Sequence, residues 1–208
     1  MSASELRRVV ANGGLRFANP PYPDYLADMP NYRRRYVLGG CWFFTVTLLD
    51  RRASLLTENI DALRQATRRT MQHHPFRIDA FVVLPDHLHA IWTLPPDDDD
   101  FSMRWRLIKA GFARAIPKTE PRSKTRLARS ERGIWQRRFW EHLVRDEEDF
   151  ARCVEYCAIN PVKHELVPRV ADWPYSSFHR EVRAGRFSED WGTDVDIPGE
   201  FGERPDSQ

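Results

Sequence analysis

A chain of 208 residues, 41% hydrophobic and 30% charged with a formal net charge of +2, has the composition of a soluble globular protein and excludes a disordered or fibrous one. No apolar run approaches bilayer length, and MSASELRRVVANGG lacks the apolar stretch of a signal peptide, so a cytoplasmic protein is expected. The three cysteines, Cys41, Cys153 and Cys157, are odd in number and lack a CxxC spacing, which points to neither a disulfide framework nor a zinc ribbon.

In chain order, residues 1–30 are rich in Asn, Pro and Gly and read as an irregular arm ahead of a domain spanning 31–180. A basic triplet, Arg33, Arg34 and Arg35, precedes β-branched and aromatic residues over 42–49 that predict a first strand. Residues 57 to about 74 predict a helix, with Thr57 as N-cap and Ile60, Leu63, Ala66 and Thr70 at helical spacing. The segment FVVLPDHLHAIWTLP, 81–95, predicts two short strands or one strand broken at Pro85. Asp100 is placed to cap a helix through FSMRWRLIKAGFARAI, and the polar KTEPRSKTRLARSERG reads as a loop. IWQRRFWEHLV predicts a strand, on which Arg137 and Arg138 cannot share a face. Asp146 then caps a helix whose first turn holds Glu147, Glu148 and Asp149 and whose stripe is Phe150, Cys153, Val154 and Cys157. Tyr156 and Asn160 fall together on one flank of that stripe, and Pro161 is expected to put Asn160 at the helix end. Residues 181–208 read as an irregular acidic tail.

The order of elements suggests an α+β protein, a ferredoxin-like α/β sandwich with helices against one face of a mostly antiparallel sheet. Charge is separated along it. Between Arg104 and Arg138 stand twelve Lys or Arg against Glu120 and Glu131, a balance of +10, whereas 188–208 hold seven acids against Arg204, a balance of −6. A basic block of that density is the footprint of a phosphate backbone partner, although solvated charged faces have the same composition.

Within the strand over 87–89, residues two apart share a face, so His87 and His89 stand side by side with Leu88 turned away. That is the geometry of a metal clamp, and it is also that of two half-buried strand histidines bonded to backbone. The segment alone leaves both readings open.

The stretches MPNYRRRYVLGGCWFFTVTLLDRR, VVLPDHLHAIWTLP, GIWQRRFWEHLVRDEEDFARCVEYCAINPVKHELV and DWPYSSF, in this order over 29–178, resemble the REP-associated tyrosine transposases, relatives of the single-tyrosine HUH transposases. The resemblance implies that His87 and His89 bind Mg²⁺ or Mn²⁺, with Asn160 as a further ligand, and that Tyr156 is the nucleophile. It implies metal-dependent cleavage and joining of single-stranded DNA at short palindromic repeats that fold into hairpins, through a 5′-phosphotyrosine, with no nucleotide cofactor. Arg33, Arg34, Arg35, Lys109, Arg137, Arg138 and Lys163 are the expected DNA contacts, in a nucleoid-associated monomer or homodimer. Trp105, Trp135 and Trp140 are candidate stacking surfaces for unpaired bases. The rival readings are a hairpin-binding protein of the same fold that has lost cleavage, and a zinc hydrolase drawing on Glu141 or His142.

Overall fold

A computed structural model describes residues 36–120, 122–128 and 131–192. Four strands form one sheet: β1 (Cys41–Thr47), β2 (Arg77–Val83), β3 (His87–Thr93) and β4 (Trp140–Leu143), in the spatial order β2-β3-β1-β4. Every neighbouring pair is antiparallel. Since β1 and β2 both run against β3, they are parallel to each other with β3 inserted between them, the split βαβ arrangement of a ferredoxin-like fold.

A single helical turn, α1 (Leu55–Glu58), and a longer helix, α2 (Ile60–His73), carry the first crossover. The helix predicted from Thr57 is therefore broken at Asn59. Thr57 lies inside α1, with its hydroxyl donating to the Ser54 carbonyl, and does not cap α2. Helix α3 (Phe101–Ala115) carries the second crossover and starts as expected, the Asp100 carboxylate accepting from the Met103 N–H at 2.8 Å. Within the expected loop the short α4 (Lys124–Ala128) forms.

Helices α2 and α3 cover one face of the sheet, where Trp42, Phe44, Leu88, Trp92, Phe101, Trp105 and Phe112 form an aromatic core. Trp92 and Trp105 stack at 4.1 Å between ring centroids. Arg104 is buried here because every direction of its fork is answered, by Asp98 at 2.7 Å and by the carbonyls of His74, Pro75 and Asp100. Part of the basic block is thus structural.

The third long helix, α5 (Glu147–Lys163), lies on the opposite face, so helices cover both sides of the sheet and not one alone. Its apolar stripe packs on Phe43, Val82 and Ile91, the residues alternate to those facing α2 and α3. Asp146 caps it, accepting from the Asp149 N–H at 2.8 Å. The helix runs through Pro161 for another turn, closed by the His164 N–H bonding the Asn160 carbonyl at 3.0 Å and the Leu166 N–H bonding the Pro161 carbonyl at 2.9 Å. Asn160 therefore sits within the helix.

The DWPYSSF segment seals the outer edge of β2. The Val83 N–H bonds the Tyr175 carbonyl, the Ser177 N–H bonds the Phe81 carbonyl, and the Trp173 indole donates to the Val83 carbonyl. Helix α6 (Phe178–Arg183) follows, and Phe187 is buried against Phe178, so packed structure continues past residue 181. Among the described residues no helix is long and apolar enough to cross a membrane.

Candidate functional site

The α5 face of β3 carries His87 and His89, their rings 5.1 Å apart between centroids, both buried. Each is oriented from its Nδ1. His87 Nδ1 lies 2.8 Å from an Asp86 carboxylate oxygen, and His89 Nδ1 lies 2.9 Å from the Thr45 hydroxyl on the neighbouring strand. Asp86 is in turn paired with Arg51. Burial works to raise the Asp86 pKa, but the His87 hydrogen bond and charge, with Arg51, hold the carboxyl below its ordinary value. A carboxylate that fixes one imidazole nitrogen directs the other toward a ligand, as in many metal sites.

Helix α5 brings Tyr156 over this strand. Its ring centroid is 5.3 Å from that of His89 and 6.0 Å from that of Phe43, and the residue is wholly buried. Lys163, two turns on, donates to the Tyr156 hydroxyl at 2.9 Å and lies 4.7 Å from the ring centroid. Asn160, one turn after Tyr156 and also buried, belongs to the same helix.

His164 adds a third imidazole, its ring 4.9 Å from that of His87. It is not among the residues expected from the sequence. The signal was available, because Tyr156, Asn160 and His164 are spaced i, i+4, i+8 and so share a helix flank if the helix survives Pro161.

A second cluster joins the start of α5 to β4. Donor atoms of His142, Asp149 and Cys153 lie within 4.8 Å of one another. Asp149 accepts from Arg145 at its N–H and its guanidinium and lies 2.8 Å from His142 Nε2. Burial raises the Asp149 pKa, but these partners outweigh it and hold the carboxyl well below the usual range. Burial pushes the Cys153 thiol well up, so it stays protonated and a poor ligand. The cluster reads first as an ion-pair anchor for α5.

The expected DNA contacts are dispersed. Arg33, Arg34 and Arg35 lie outside the described residues. Arg137 and Arg138 are exposed in the loop before β4, because the strand predicted to contain them begins only at Trp140. Arg137 pairs with Glu131 at 3.0 Å. Lys109 donates to the Gln136 carbonyl at 2.9 Å and sits 5.8 Å from the Trp135 ring centroid, tying α3 to this loop.

Two oriented histidines on a ferredoxin-like sheet, beneath a helix carrying a tyrosine and an amide, form a candidate site of the kind a tyrosine transposase requires. No family model matches the chain. It is 48% identical over 170 residues to a REP-associated tyrosine transposase of Haemophilus influenzae, covering 81% of this chain and 97% of the relative. A REP-associated tyrosine transposase of Escherichia coli is 48% identical over 167 residues, 80% of this chain and 93% of the relative. The structure matches a solved REP-associated tyrosine transposase bound to a REP hairpin, with TM-score 0.74 and 47% identity, over 86% of this chain and all of that one. The chain belongs to the REP-associated tyrosine transposases and is a DNA-cleaving and DNA-joining enzyme.

Proposed function

We propose that this enzyme cleaves single-stranded DNA beside REP-type hairpins with Tyr156 as nucleophile and rejoins strands through a 5′-phosphotyrosine. The placement of the Tyr156 ring 5.3 Å from that of His89, its hydroxyl bonded to Lys163, carries this reading. The hairpin bound by the solved relative supports the choice of DNA.

In the forward step the Tyr156 oxygen bonds to phosphorus, the bond from phosphorus to O3′ breaks, the phenolic proton passes to water and O3′ takes a proton from water. The phosphoester is conserved, so an incoming 3′-hydroxyl reverses the reaction and joins a strand. Lys163 donates to the tyrosine oxygen and stabilises negative charge there, both as attack begins and as tyrosine departs.

His87, His89 and Asn160 would hold a divalent cation, with His164 close by. Their donor set fits one, since two imidazoles with fixed Nδ1 atoms and an amide oxygen suit Mn²⁺, and Mg²⁺ with additional water. Bound there, the ion would polarise the scissile phosphate and orient the leaving oxygen. Arg33, Arg34, Arg35, Lys109, Arg137 and Arg138 are proposed to steer the backbone, acting from a monomer or a homodimer.

The test is incubation with end-labelled single strands carrying a REP-type hairpin, with Mg²⁺ or Mn²⁺, followed by denaturing gels. A metal-dependent protein-linked band that is absent in Tyr156→Phe is expected. Hairpin binding without such a band, for wild type under either ion, would leave the chain a binding protein only.

A further inference from the structure

Of the seven tryptophans, six are buried or half-buried and Trp140, at 37% exposure, is the exposed one. Trp105 is sealed in the aromatic core, and Trp135 donates its indole N–H to the Lys109 carbonyl. The structure therefore ranks candidates that sequence could not.

The position of Trp140 is set by register. Thr45 on β1 pairs with Trp140 on β4 and with His89 on β3, so the three residues form one row across the sheet on its α5 side. Two strand spacings of about 4.8 Å put Trp140 roughly 10 Å from His89 in backbone terms. Phe43 bridges the interval, its centroid 5.9 Å from Trp140 and 6.0 Å from Tyr156.

Trp140 is also held in place. Its ring stacks on His142 with centroids 5.9 Å apart and planes within 8°. His142 Nε2 is fixed by Asp149 at 2.8 Å, in the first turn of α5. A flat indole backed by an anchored imidazole, at the rim of the tyrosine site, is a preorganised surface for an aromatic ring.

We propose that Trp140, backed by His142, is a stacking platform for an unpaired base of the DNA strand, one or two nucleotides from the phosphate that Tyr156 attacks. The inference rests on the transesterase reading and adds to it the place where the single strand is gripped. Stacking is tolerant of base identity because every base has a π face, so the platform senses the presence of a base and not its sequence. Its loss weakens binding about tenfold.

The test measures hairpin binding to full-length Tyr156→Phe protein, which prevents covalent capture, on strands carrying a single abasic site at successive positions of the unpaired flank. One or two adjacent abasic positions are expected to weaken binding about tenfold. Adding Trp140→Ala should weaken binding of the intact strand by a similar factor and remove sensitivity at those positions alone, while Trp140→Phe retains most of both. An abasic profile that is the same with and without Trp140 overturns the platform. Wild-type protein on the intact strand is assayed in parallel for the covalent adduct. If that adduct forms while the profile ignores Trp140, only the platform fails; if no adduct forms, the transesterase reading fails first.

Discussion

On β3, Leu88, Ala90 and Trp92 point toward α2 and α3, whereas His87, His89 and Ile91 point toward α5. One seven-residue strand thus serves two environments through its period of two. The α2 and α3 face is filled with stacked and edge-on aromatic rings, a core where volume decides stability. The α5 face is equally buried but carries imidazoles, a phenol and an amide, polar groups whose burial is tolerated because neighbours bind them. On the proposed mechanism, the packing that stabilises the sheet and the groups that react therefore lie largely on opposite sides of it.

The largest effect on activity is expected from Tyr156→Phe. It should abolish the protein-linked DNA product while changing stability by no more than about 1.5 kcal/mol, the range for one lost hydrogen bond, as denaturant melts would show. Trp105→Ala should do the reverse. Removing a ring stacked at 4.1 Å on Trp92 should cost about 3–5 kcal/mol of stability, with covalent product still formed by whatever fraction remains folded.

Asp149 gives an effect of intermediate size, on the α5 side. Its folded-state pKa is depressed, chiefly by His142 and then Arg145 against the opposing effect of burial. The stabilisation it supplies is present above the ordinary aspartate value of about 4 and is lost as pH falls below that toward the folded value. Denaturant midpoints of the wild type should decline from about pH 4 to about pH 2, and Asp149→Asn should be less stable at pH 7 with a flatter decline. The smallest effect is expected from Asp100→Ala, where one lost N-cap on α3 should cost about 1 kcal/mol in the same melts and leave strand cleavage unaltered.

Features settled within a few residues were legible in the sequence. Asp100 and Asp146 cap the helices they precede, the two histidines share a strand face, and Tyr156 and Asn160 share a helix. Features settled by tertiary partners were not. Nothing local distinguishes Arg104, consumed by Asp98 and three carbonyls, from the exposed Arg137 and Arg138. The continuation of α5 past Pro161 hid His164, because proline is a general breaker while the closing bonds here form beyond it. Nor does the spacing of residues show that a third long helix takes the second face of the sheet.

Whether Tyr156 is the residue that becomes joined to DNA is read directly by proteolysis of the covalent complex followed by mass spectrometry of the nucleotide-bearing peptide. Of six tyrosines, Tyr156 is expected to carry the adduct, in a peptide from α5. An adduct on any other residue would contradict the proposed mechanism.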